Sequence, residues 1–110
     1  MATFEQFQDL EIRAGIITRA EIFKRARHPA MKVWVDFGEE IGVKGTSAQI
    51  TVLYKPEELP GKRVLGLLNI GTRNIAGFTS EFLLLGFPTE GGAVHLATYD
   101  SDEAKGARLA

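Results

Sequence analysis

No group of residues in this sequence is spaced for covalent chemistry. Cysteine is absent from its 110 residues, which removes thiolate nucleophiles, disulfides and thiolate metal ligands together. The two histidines, His28 and His95, stand at no metal-ligand spacing and read as surface or packing residues. Gly61-Lys62-Arg63 fails as a phosphate loop, because neither Ser nor Thr follows the lysine and the upstream glycine is missing. There is no G-x-S-x-G elbow, and Asp36, Glu39 and Glu40 surround a turn, where solvated acids are the rule. The expectation is a non-enzyme with no metal site and no cofactor.

Non-covalent recognition is better provided for. Residues 64 to 85 join two apolar segments through a turn that carries Asn69, Arg73, Asn74 and then Ser80-Glu81. That Ser-Glu pair, set among leucine and phenylalanine, must face water or find partners inside, because a buried unpaired polar group is costly. Trp34, the one tryptophan, falls on the polar parity of its segment beside Lys32. There it either offers a flat platform to a base or a peptide, or packs under a loop or a second chain. Net charge is -1, so no global field draws in nucleic acid. Five basic residues (Arg19, Lys24, Arg25, Arg27 and Lys32) nevertheless face one acid, Glu21, between positions 19 and 32. This run is either a local anion-steering patch or a solvated loop.

The elements that must hold these residues read as short strands. Thr3-x-x-Gln6 is a capping box opening a short helix with Phe4, Phe7 and Leu10 on one face; the two phenylalanines cover the barrel bottom or meet a second chain. Leu10 to Phe23 alternates, with Leu10, Ile12, Ala14, Ile16, Ala20 and Ile22 inward, and Gly15 predicts a bulge or bend. In Met31 to Gly38, Met31, Val33, Val35 and Phe37 point inward. Ile41 to Thr51 is a third strand, whose Ser47 and Gln49 either line a surface or sit on an edge. Pro56 to Leu59 is a one-turn helix stopped by Pro60-Gly61. Val64 to Ile70 is a central strand, Phe78 to Leu85 its partner and Ala93 to Tyr99 a last strand, followed by a polar tail, Asp100 to Ala110.

Strands in this order, with a small helix after the third, predict an all-β chain. The expected fold is a five-stranded Greek-key barrel of the oligonucleotide-binding (OB) kind, with an N-terminal helix and an extra C-terminal strand. Residues 1–110 are expected to form one domain, with barrel core about 10–88 and C-terminal strand and tail 89–110. The hydrophobic fraction of 45% suits a globular protein. The first residues lack an export signal, and no run approaches membrane-spanning length. A cytoplasmic protein without membrane insertion is therefore expected.

Several of these segments, in order, resemble the free-standing tRNA-binding domain family of OB folds. Leu10-Glu11-Ile12-Arg13-Ala14-Gly15-Ile16-Ile17 is similar to its L-D-I-R-x-G-x-I, and His28-Pro29-Ala30-Met31-Lys32 to its H-P-x-A-x-K. Val35-Asp36-Phe37-Gly38, Tyr54-x-Pro56-Glu57-x-Leu59 and Asn69 with Gly77-x-x-Ser80-Glu81 continue the likeness over roughly residues 10 to 99. Ser47-Ala48-Gln49-Ile50-Thr51 and Ile75-Ala76-Gly77-Phe78-x-Ser80-Glu81 resemble the branch of CsaA-type secretion chaperones. Two departures from the RNA-binding pattern are Ser80-Glu81-Phe82-Leu83 where S-E-G-M is usual, and a turn whose basic pair is reduced to Arg73-Asn74.

The resemblance implies a homodimeric chaperone for unfolded or pre-secretory polypeptides. Trp34, Ile75 and Phe78 would meet apolar side chains, while Gln49, Asn69, Arg73 and Ser80 would bond the peptide backbone, and Phe4 and Phe7 would serve as dimer contact. The alternative is structure-selective tRNA binding by the same face, with Lys24, Arg25, Arg27, Lys32 and Arg73 on phosphates and Trp34 stacked on a base. A third reading is a scaffold that uses Phe4 and Phe7 to hold a synthetase or translocase partner.

Overall fold

A computed structural model describes all of residues 1–110. Its organising element is β1 (Ile12–Ile22), long enough to serve two neighbours. Ile12 to Ile16 pair antiparallel with β4 (Arg63–Leu67), whereas Ile16 to Ile22 pair with β2 (Met31–Asp36). The exchange of partners falls at Ile16, beside Gly15. A Cβ on Gly15 would sit 2.4 Å from Val35 Cγ1 and 2.9 Å from the Phe37 ring, so glycine lets the two halves close on each other.

The expected bulge lies further on than Gly15. Ile17 opposes Val35 and Arg19 opposes Trp34, leaving Thr18 as the extra residue. One inserted residue reverses the inward parity. Ile17, opposite buried Val35, is inward before the insertion and Ala20, opposite buried Val33, after it; at the strand's end Ile22, expected inside, is 49% exposed, and Phe23 just beyond it is buried.

The five-stranded sheet runs β3-β2-β1-β4-β7, where β3 is Val43–Ala48 and β7 is Leu83–Leu84. Glu81 N–H donates to Gly45 O at 2.8 Å, linking the two outer ends and nearly closing the barrel. The segment expected as one strand, Phe78 to Leu85, is broken at Glu81. Its first part, β6 (Phe78–Ser80), turns away to pair with β5 (Arg73–Ile75) as a separate hairpin. The central strand likewise ends at Leu67, and Ile70 is 55% exposed. β8 (Gly86–Pro88) and β9 (Val94–Leu96) form a second hairpin. The core is Ile17, Met31, Val33, Val35, Phe37, Ile50, Leu59, Val64 and Phe82, with the Phe37 and Phe82 rings edge to face at 5.1 Å. Leu59, closing a single 3-10 turn over Pro56–Glu58, is wholly buried at one end.

Helix α1 (Phe4–Gln8) starts on the capping box: Gln6 N–H donates to Thr3 Oγ1 at 3.1 Å and Thr3 N–H to Gln6 Oε1 at 2.9 Å. It buries none of its residues. The polar tail is a strap along β1. Gly106 N–H donates to Ala14 O (2.8 Å), Ala14 N–H to Ala107 O (3.0 Å) and Leu109 N–H to Ile12 O (2.8 Å). Tyr99 Oη donates to Gly15 O at 2.9 Å, and burial pushes its phenol upward. Arg63 Nε holds Asp102 and Lys105 Nζ holds Asp36, each at 2.6 Å. The Lys105 ammonium, with the Gly38 N–H, holds the Asp36 carboxyl below its ordinary value.

Candidate functional site

The β5–β6 hairpin and the barrel wall beneath it carry most of the residues expected to recognise a ligand. The tip is Ala76-Gly77, with φ of 48° and 87°. Positive φ at both central positions is the type I′ turn that suits the strand twist, and alanine is strained there. In the hairpin register Arg73 opposes Ser80 and Ile75 opposes Phe78, so these four share the face turned to the barrel.

The base of the hairpin is a polar clamp. Thr46 Oγ1 donates to Phe82 O at 2.6 Å, which uses its only proton. Ser80 must therefore donate its own proton to Thr46 Oγ1, 3.0 Å away, and it accepts the Ser47 N–H at 3.1 Å. Glu81 Oε1 accepts the Gly45 N–H at 3.0 Å, and Oε2 faces Lys44 Nζ at 3.8 Å. Ser80 thus finds its partners inside, and Glu81 finds its own at the half-exposed edge of the seam. Ser80, expected as a donor to a ligand backbone, has no proton left for one; it fixes the shape of the site.

Above the clamp is an aromatic cluster. The Phe78 ring meets Trp34 at 5.8 Å and Phe23 at 5.6 Å, both edge to face. Lys32 Nζ stands 4.9 Å from the Phe23 ring and 5.1 Å from the Phe78 ring, and the Arg19 guanidinium lies 4.7 Å over Trp34. Trp34 is therefore half-buried under the hairpin, the second of the two placements its sequence allowed. Lys32, 3.9 Å from Glu21, is occupied within this cluster, which removes it from the free basic patch.

Beside the cluster, Ser47, Ile70, Arg73, Ile75, Ser80, Phe82 and Leu83 line a cleft of about 110 Å³ with Gly71. Ile70 and Leu83 are 55% and 45% exposed on its rim. Arg73 is exposed and has no acidic partner; the same holds for Lys24, Arg25 and Arg27 in the β1–β2 loop. Arg25 Nη1 lies 4.0 Å from where a Gly77 Cβ would be, so this loop reaches the hairpin tip.

Two expected site residues lie elsewhere. Asn69 Nδ2 donates to Asp9 O (2.6 Å) and its Oδ1 accepts the Glu11 N–H (2.9 Å), so it clamps the junction of α1 and β1. Gln49 is exposed just beyond β3 and does not line the cleft. Phe23, Ile70 and Leu83 join the candidate site without having been singled out, and Arg19, read as part of the basic run, packs over Trp34. Phe23 lay on the outward parity of the expected strand and is buried just past the observed end at Ile22; Ile70 read as core of a strand that stops at Leu67, and Leu83 as core of the strand that is broken at Glu81.

A hairpin carrying aromatic and basic side chains over one face of a nearly closed OB barrel is the arrangement of a known class. The chain matches the tRNA binding domain family over residues 12–108 and belongs to it. Within that class it is similar over its whole length to the chaperone CsaA of Bacillus anthracis str. Ames, at 43% identity and TM-score 0.92, covering 100% of this chain and 99% of that one. The CsaA chaperone protein of Picrophilus torridus agrees equally well, at 43% identity and 0.92, with both chains fully covered. The methionine–tRNA ligase of Methanocaldococcus jannaschii is 30% identical over 107 residues, 93% of this chain, but only 15% of the ligase is spanned. The likeness to such ligases is thus to a small part of each. No helix is long and apolar enough to cross a membrane.

Proposed function

We propose that this protein is a CsaA-like chaperone that assists export by holding unfolded or pre-secretory polypeptides on the β5–β6 face, working as a homodimer in the cytoplasm without catalysis. The observation that carries this reading is the cleft with exposed apolar rims at Ile70 and Leu83 beside half-buried Ile75, in a fold that follows two CsaA chaperones at TM-score 0.92. Exposed aliphatic side chains next to the hairpin give broad apolar contact, which suits partners of varied sequence. Trp34 and Ile75 supply the apolar wall and Arg73 a donor. The dimer surface is the apolar end where Phe4 (71% exposed), Leu10 (43%) and Leu109 (44%) surround half-buried Phe7. The test is affinity for a labelled unfolded segment with Ile70→Glu and Leu83→Glu. Each is expected to weaken binding tenfold or more, on the order of 1.4 kcal/mol, with the melting temperature unchanged. Unchanged affinity would remove the cleft from the binding face.

A specific observation favours tRNA as a second ligand: Lys24, Arg25 and Arg27 in the β1–β2 loop and Arg73 on the hairpin are exposed and unpaired, and Arg25 reaches the hairpin tip. Phosphates are the natural partners of such a rim. Reversing charge at Arg25 and Arg27 is expected to abolish tRNA binding and spare polypeptide binding; loss of both, or of neither, would discard this division of the face.

A further inference from the structure

We infer that the seat beneath Phe78 is a subsite for an aromatic side chain of the bound polypeptide, and that Phe78 fills this seat while no ligand does. The inference rests on the polypeptide-binding reading and names what that face selects. The seat is built for a ring. Phe78 meets Trp34 and Phe23 in T-shaped contacts at interplanar angles of 78° and 77°. The Lys32 ammonium, 5.1 Å from its centroid, is attracted by the quadrupole of a π system and gains nothing from an aliphatic group of equal volume. The floor is Gly45, where a Cβ would come within 3.1 Å of both Phe78 Cζ and Trp34 Nε1, so a side chain there would press on both rings.

The occupant is carried on an arm that can leave. Every hydrogen bond from the hairpin to the barrel is made at its base, by Ser80 and Glu81. From Thr72 to Thr79 the bonds stay within the arm. Its turn is strained at Ala76, φ 48°. Phe78 is held down by ring packing and the Lys32 ammonium, and a ring offered from solvent replaces like with like. The exposed rim of the adjoining cleft then receives the flanking residues of the same segment.

The test uses one labelled unfolded peptide in two versions, with phenylalanine or cyclohexylalanine at its centre, which differ in the π system and hardly in size. The full-length protein is expected to prefer phenylalanine by roughly two- to fivefold. Phe78→Ala should tighten the phenylalanine peptide several-fold, because the competing ring is gone, and Lys32→Met should erase the preference while both peptides still bind. Phe78→Ala weakening both peptides alike would make Phe78 a wall of the site and overturn the inference. As a readout independent of chaperone activity, N-acetyl-phenylalaninamide titrated into Phe78→Ala should shift the fluorescence of Trp34, and N-acetyl-leucinamide should not. That result with no polypeptide binding would keep the subsite and refute the chaperone reading. Polypeptide binding without any ring preference would do the reverse. Phe78→Leu, which keeps the arm packed, covers the case in which Phe78→Ala fails to fold.

Discussion

Ser80 Oγ lies 3.0 Å from Thr46 Oγ1 in the buried seam between the hairpin and β3. The two hydroxyls form a directed chain, from Ser80 to Thr46 to the carbonyl of Phe82, with the Ser47 N–H feeding into its start. Removing either link leaves a buried acceptor or donor without a partner. Thr46→Val, which keeps the shape, is expected to cost about 1–3 kcal/mol. Ser80→Ala should cost a similar amount, and the double variant less than the sum. Urea denaturation measures all three; additive losses would mean that the chain does not act as one unit.

Gly15 and Gly66 admit the aromatic core. A Cβ on Gly66 would fall 2.7 Å from Phe37 Cζ and 2.8 Å from Phe82 Cδ2, and one on Gly15 2.4 Å from Val35 Cγ1. Gly15→Ala and Gly66→Ala are each expected to destabilise by about 1–3 kcal/mol through overpacking. A neutral result in a thermal melt would contradict the packing described.

The tip of the hairpin offers a change in the opposite direction. Ala76 adopts φ 48° and is followed by Gly77 at 87°; Asn-Gly is the pair that prefers such a turn. Ala76→Asn should raise stability by about 0.5–1 kcal/mol. If the arm must open to bind polypeptide, the same variant should bind it more weakly, and anisotropy checks this.

Much of the barrel was legible from alternation, and the exceptions share a cause. Met31, Val33 and Val35 are fully buried as their parity requires. In β1 the expected alternation placed Ile16 and Ile22 inward, whereas Ile17 and Phe23 are the buried residues; the bulge at Thr18, a residue with no compositional mark, and the end of the strand at Ile22 break the pattern. Gly15 did mark a close approach, three residues from that bulge. The strap of residues 105–109 was invisible because backbone groups make its pairing and almost any side chains can accompany them. Of the site, Trp34, Arg73, Ile75 and Phe78 were readable by type. Asn69 and Ser80 were equally conspicuous, but polar residues near a turn serve structure as readily as ligands, and only their partners distinguish the two.

The strap also sets an acid sensitivity. Asp36 is held by Lys105 and the Gly38 N–H below its ordinary value of 3.8. A carboxylate with a depressed folded-state pKa contributes stability that is complete above the unfolded value and is lost as pH falls through the folded one. Stability should therefore drop below about pH 4, with earlier exchange of the Gly106 amide, and Asp36→Asn should remove that part of the dependence. An identical pH profile in the variant would show that the Asp36–Lys105 pair does not hold the strap.

The most direct test of the polypeptide-binding face is anisotropy of the full-length protein with a labelled unfolded pre-protein segment and, separately, bulk tRNA, at roughly 50 and 200 mM salt. Apolar contact predicts polypeptide affinity nearly unchanged between the two salts. Engagement of about four phosphates predicts tRNA affinity falling roughly a hundredfold over the same range. Tight tRNA binding that collapses with salt, with no polypeptide bound at either concentration, would contradict the account.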